Sequence, residues 1–249
     1  RKCAAPCPGA RGNWPNSRRP GTLHRVSPLQ LVLVMLAAAV GGAINSIAGG
    51  GTLLTFPAIV ALGISPLVAN ATNTVALWPA ALGSMWGYRG ELAGARWWVT
   101  HFTLPSLLGG ALGAWLLLHT SAHSFERIVP FLVLGATGLF MAQGPVMKRL
   151  RAAHPPVAEG QDPPPAHLAP FYLCQFGVGV YGGYFGAGIG ILMLALLGFL
   201  GFANIHRMNG LKNWGGLCIN AVAALMFMSS DLVNWPVALA MAVGGLLGG

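Results

Sequence analysis

Charge is what this chain lacks most. Its 249 residues hold 14 Lys and Arg and only 5 Asp and Glu, so 8% are charged, against about 25% in soluble domains. Residues 26–88 contain no Asp, Glu, Lys or Arg, and neither do residues 167–206. Those runs exclude a soluble domain, and with 55% apolar residues they indicate a polytopic helical membrane protein. The five acids stand outside the apolar runs, which argues against a carboxylate proton relay. Cysteine is also sparse: Cys3, Cys7, Cys174 and Cys218 form no C-x-x-C pair and no Cys/His metal spacing, so they read as free thiols. There is no H-E-x-x-H, no G-x-S-x-G elbow and no phosphate-binding loop, hence no enzyme signature, no cofactor motif and no means of self-powering by ATP hydrolysis. No ten-residue alternation supports a membrane β-barrel.

The net charge of +9 is not a nucleic-acid signature. Six basic residues lie in residues 1–25, and Lys148, Arg149 and Arg151 form a second group. Both groups flank apolar blocks, as cytoplasmic loops do. Residues 1–27 read as a disordered basic arm. The chain begins without Met and stops inside an apolar run.

Glycine, by contrast, is abundant and clustered. Gly49, Gly50 and Gly51 interrupt apolar sequence, and each costs about 1 kcal/mol relative to Ala inside a helix. Such a break at membrane depth survives only where protein or a water-filled cavity satisfies the backbone. A second cluster, Gly186, Ala187 and Gly188, follows Gly179, Gly182 and Gly183. The expected elements are a span over 29–48, a half-helix over 52–62 capped by Thr52, a span over 66–88, a loop over 89–96, a span over 97–118 and a shorter one over 128–143. The Pro-rich basic stretch 144–169 reads as a linker. Then come a span over 171–186, a half-helix over 189–201, a polar hinge over 203–212, a span over 213–228 and a last span from Trp235. Gly109 and Gly113, and Gly244 and Gly248, are spaced for close helix contact.

The halves read as copies. Ala48 and the three glycines sit over Phe185 to Gly188, Leu62-Gly63 over Leu200-Gly201, Asn73 over Asn213, Trp97 over Trp235 and Gly109 over Gly244. The first copy continues with residues 128–143, so one helix is expected to be missing from the C-terminus. The architecture expected is thus all-α and polytopic: two repeated helical halves over 28–143 and 170–249, each with a Gly-broken helix and a short half-helix. If both basic segments face the cytoplasm, the first half crosses an even number of times and the repeats are parallel. If residues 52–62 cross, the count is five and the repeats are inverted. The positive-inside rule favours the parallel arrangement.

At these residues the chain resembles the TauE/SafE family of sulfite exporters and related anion permeases. The resemblance rests on Asn45-x-x-Ala48-Gly49-Gly50-Gly51, Pro57, Leu62-Gly63 and Ala69-x-Ala71-Thr72-Asn73 in the first half. In the second it rests on Tyr181-Gly182-Gly183-Tyr184-Phe185-Gly186-Ala187-Gly188-Ile189-Gly190, Met208-Asn209-x-Leu211-Lys212-Asn213 and Val233-x-Trp235-Pro236. It implies a multi-pass carrier of the bacterial inner (plasma) membrane that moves sulfur-containing anions or small carboxylates.

An anion in a bilayer needs donors. Half-helix N-termini supply free N–H groups and a positive dipole end, which places one end at Gly50, Gly51 and Thr52 and the other at Ala187, Gly188 and Ile189, with Gly49 and Gly186 of the breaks joining the candidate site. Lys212 is the fixed cation, or else a snorkelling interfacial lysine. Asn45, Thr72, Asn73 and Asn213 could bond substrate oxygens, or tie helices together. His101 could relay protons, although a ring bonded to a backbone carbonyl is the plainer reading. The expected partners are a small anion and the lipid bilayer, with no nucleic acid; a homo-oligomer is left open. An internal duplication suits a carrier with a midplane site and alternating access better than a channel built from oligomeric rings. An anion channel and a non-transport membrane assembly factor are the alternatives.

Overall fold

The computed structural model describes residues 26–153, 168–202 and 204–249. Most of the expected arm and linker, with Cys3 and Cys7, lies outside the described residues. Among the described residues ten helices follow in chain order: α1 (Pro28–Ile47), α2 (Thr52–Ala61), α3 (Pro66–Gly87), α4 (Arg89–Ala93), α5 (Arg96–Leu118), α6 (Ala122–Ala153), α7 (Leu168–Tyr184), α8 (Ile189–Phe199), α9 (Ile205–Met228) and α10 (Trp235–Gly248). No strand occurs among the described residues. Among the described residues four stretches are long and apolar enough to cross a membrane: α1, α5, Ala122–Ala142 of α6, and α9. Leu29, Leu33, Leu36 and Val40 on α1, and Leu104, Leu108 and Leu112 on α5, point outward at helical spacing. Contiguous apolar faces of this kind belong in lipid, and the chain is a multi-pass membrane protein.

Local chemistry sets the helix ends. Ser27 and Gln30 form a reciprocal capping box at the start of α1, with Pro28 in the first helical turn, where its missing N–H is no loss. Asn204 accepts from the amides of His206 and Arg207, so α9 begins at Ile205. The polar stretch to Lys212, expected as a hinge, is instead the first two turns of that helix. Its polar residues Asn209 and Lys212 are buried inside the bundle, where a polarity count mistakes an inward face for a loop. Thr52 is likewise not a cap. Gly51 holds that position without any side-chain bond, and Thr52 is the first helical residue. Helix α6 is longer than the expected 128–143 and carries Lys148 and Arg149 on its last turns.

Glycine contacts fix the helix directions. A Cβ on Gly244 would strike the Met35 carbonyl, and one on Gly248 the Ala39 carbonyl, so α10 lies along α1 in parallel. A Cβ on Gly109 would strike the Phe176 carbonyl, and one on Gly113 the Val180 carbonyl, so α7 lies along α5 in parallel. These are the close contacts that the spacing predicts. Trp214 Nε1 donates to Thr103 Oγ1 at 2.9 Å and Gly110 abuts Ile219, which aligns α9 with α5. The Asn234 amide donates to Thr72 Oγ1 and Ser84 Oγ to the Gly249 carbonyl, which aligns α10 with α3. Gly210, at the start of α9, sits beside Tyr88 and Glu91, just past the end of α3. Helices α1, α3 and α10 therefore run one way, and α5, α7 and α9 the other. The parallel arrangement that basic-segment parity favours does not hold. Helix α2 folds back along α1, with Thr55 against Gly41, and so adds a return leg that the even count omits.

Candidate functional site

Each glycine break turns a helix into a hairpin. At the end of α1 the amides of Ala48 and Gly49 both bond the Ile44 carbonyl, at 2.8 and 3.2 Å. At the end of α7 the amides of Phe185 and Gly186 both bond the Tyr181 carbonyl, at 2.9 and 3.2 Å. Gly49 (φ +83°) and Gly186 (φ +80°) then take the left-handed conformation that glycine adopts without steric penalty. Because α1 and α7 run in opposite directions, the hairpins approach from opposite sides, and their tips touch. A Cβ on Gly49 would lie 2.5 Å from Gly190 Cα, and one on Gly190 would lie 2.6 Å from Gly49 Cα. The half-helices α2 and α8 both start at this contact. The amides of Gly50, Gly51 and Thr52, and of Ala187 and Gly188, donate to no protein acceptor among the described residues. Positive helix ends thus converge on one place.

Beside the tips lies a cavity of about 40 Å³. A water needs roughly 10–15 Å³ on the same measure, so the space suits about three waters or one compact oxyanion. Asn45, Gly49, Thr52, Asn73, Gly186, Lys212 and Asn213 line it. These seven sequence-derived candidates come together from both halves. The other five do not reach it. Gly50 packs under the Phe140 ring, and Gly51 against the Gly41 carbonyl. Thr72 Oγ1 receives the Asn234 amide at 2.9 Å. The Ala187 carbonyl accepts the Tyr181 hydroxyl at 2.7 Å. Gly188 caps α8 beside Ala136. Sequence reasoning missed Leu77, Ala81 and Ser84 on α3, and Gly216 and Asn220 on α9. Their signal was helical spacing from Asn73 and Lys212, which puts them on the same inward stripes.

Lys212 lines the cavity from α9. It is 3% exposed, which removes the snorkelling alternative. Its Nζ donates to the carbonyls of Asn45 and Ser46, both at 3.1 Å, and Asn213 Nδ2 donates to Ser46 O at 3.3 Å. No carboxylate pairs with it among the described residues. Its partners are the last-turn carbonyls of α1, the negative end of that helix dipole. His101 stands away from the cavity, stacked on Trp97 with Nδ1 on the Trp97 carbonyl at 2.7 Å. Asn70 ties helices together, donating to Tyr184 O at 2.9 Å.

Comparison with known proteins decides the family. The model of the family described as "Sulfite exporter TauE/SafE" matches residues 34–249. The chain belongs to the TauE/SafE family. Among curated relatives it is 31% identical to "Probable membrane transporter protein YfcA" of Escherichia coli (strain K12) over 236 residues, covering 91% of this chain and 81% of that one. It is 30% identical to "Probable membrane transporter protein ORF9" of Sinorhizobium sp, covering 88% and 80%. It is 28% identical to a "Probable membrane transporter protein" of Haemophilus influenzae (strain ATCC 51907 / DSM 11121 / KW20 / Rd), covering 88% and 82%. No solved structure matches the chain. The TauE/SafE match takes in both hairpins and every residue that lines the cavity.

Proposed function

We propose that this protein is a secondary carrier, rather than an enzyme, that moves a small anion across the plasma membrane by alternating access. The observation that carries the reading is Lys212, an ammonium buried where two half-helix N-termini meet. A buried cation without a carboxylate partner is costly, and an anionic substrate is the ligand that such a site favours. The cavity's size suits compact sulfur oxyanions, short sulfonates or small carboxylates. The touching tips of Gly49 and Gly190 form the partition between the two faces, and access alternates as the bundle opens on one side of that contact or the other. The reading treats the halves as inverted repeats. Exchanging them maps the α1–α10 contact onto α7–α5, and the α3–α10 contact onto α9–α5.

The test is uptake into liposomes. Labelled sulfite, sulfate, thiosulfate and a short sulfonate are offered to the purified, reconstituted protein and to its Lys212→Ala variant. Saturable uptake of one of them, lost in the variant, is the expected result. Absence of flux for every anion, from protein that remains folded, would overturn the carrier reading for this substrate class.

A further inference from the structure

The two hairpin tips are built alike but charged differently. In the first, the Ile44 carbonyl takes two amides, and the next two carbonyls, Asn45 and Ser46, are held by the Lys212 ammonium. In the second, the Tyr181 carbonyl takes two amides in the same way. The next two carbonyls, Gly182 and Gly183, accept no hydrogen bond among the described residues. At the position of α3 that corresponds to Lys212 stands Thr72, whose hydroxyl is committed to α10. The flanking carboxamides are also short of donors. Asn70 is 1% exposed and Asn73 2%, and the Oδ1 of each is buried without a partner. The Asn70 amide bonds Tyr184 O, which places this residue at the last turn of α7. Asn73 lines the cavity together with Gly186.

Unpartnered acceptors therefore gather at the negative end of the α7 dipole, where the matching end of α1 has a covalently attached cation. Buried oxygens without donors are costly, and helix C-terminal carbonyls with carboxamide oxygens are the ligands that carriers use for hard cations. We propose that Gly182 O, Gly183 O, Asn70 Oδ1 and Asn73 Oδ1 bind an exchangeable alkali cation, the free counterpart of the Lys212 ammonium. No carboxylate belongs to the set, which suits a monovalent ion, since a divalent one would leave twice the charge uncompensated on neutral oxygens. Bound beside the anion cavity, the cation would be the coupling ion for transport. The binding claim itself does not depend on the anion reading.

The experiment measures the cation alone. Purified protein in detergent is titrated with 22Na+ by equilibrium dialysis, with choline chloride holding ionic strength and no oxyanion present. Its thermal midpoint is followed in NaCl, KCl and choline chloride. Saturable sodium binding near one ion per chain, with a midpoint raised by NaCl over choline chloride, is expected. Asn73→Ala weakens binding at least tenfold. Asn73→Asp, which keeps the side-chain shape, tightens it at least threefold and serves should the alanine variant not fold. Wild-type protein without saturable sodium binding would mean that water satisfies these oxygens, and would overturn the proposal while leaving the anion reading standing. Unchanged affinity in a folded Asn73→Ala variant would overturn it as well.

Discussion

Gly49 and Gly190 meet almost backbone to backbone, yet a methyl group should cost different amounts on the two sides. Gly190 lies in α8, so Gly190→Ala gains about 1 kcal/mol of helix propensity. Against that stands overpacking on Gly49 Cα at 2.6 Å and Lys212 Cδ at 3.1 Å, typically about 1–3 kcal/mol. The net cost is about 0–2 kcal/mol. Gly49→Ala gains no propensity, because φ is +83°. It adds roughly 1–2 kcal/mol for the left-handed conformation to a similar clash, giving about 2–5 kcal/mol. For a chain of this size each kcal/mol moves the unfolding midpoint by about 2–4 °C. Thermal unfolding in detergent should therefore show Gly49→Ala melting well below Gly190→Ala, by roughly 5–10 °C on that scale. Equal losses would mean that backbone conformation contributes nothing beyond the clash. If neither variant moved, the tips would not be in contact.

Four further outcomes follow from the same geometry. Lys212→Met removes two charge-assisted hydrogen bonds but also a buried charge, so stability should change by less than about 2 kcal/mol, while anion uptake falls at least a hundredfold in liposomes. Helix direction is checked with a membrane-impermeant thiol reagent on oriented vesicles: cysteine at Gly90, after α3, and at Ser230, after α9, should label from opposite faces, whereas parallel halves would place both on one. Asn234→Ala loses the cap on Val237 N and should lower stability by about 1 kcal/mol, read as a small drop in thermal midpoint. Trp214→Phe breaks the bond to Thr103 that joins α9 to α5 and should cost about 0.5–1.5 kcal/mol in the same assay.

Features that depend on local chemistry were legible in the sequence. Glycine runs inside apolar sequence marked both breaks, and Lys212, Asn73 and Asn213 stood out because polar groups at membrane depth need a reason. Features set by distant partners were not. Gly50 is removed from the cavity by Phe140 on α6, and Thr72 is claimed by Asn234, 162 residues away. The start of α9 was read as a hinge because Asn209 and Lys212 face inward, and composition alone does not separate an inward polar face from a loop. Orientation failed for a related reason. The charge parity argument depends on whether α2 is counted as a leg, and only packing of Thr55 on Gly41 settles that.

The seams that join α1 to α10 and α5 to α7 have a consequence for biosynthesis. Each is a glycine zipper between a helix from one half and a helix from the other, and most of the described chain separates α1 from α10. At roughly 5–20 residues per second, the ribosome adds α10 on the order of ten to forty seconds after α1. Through that interval Met35 and Ala39 offer their carbonyl face to lipid, with no glycine helix to close over it. A nascent chain of this kind cannot finish its first half and then build the second. It must store helices in the bilayer until their partners from the second half arrive.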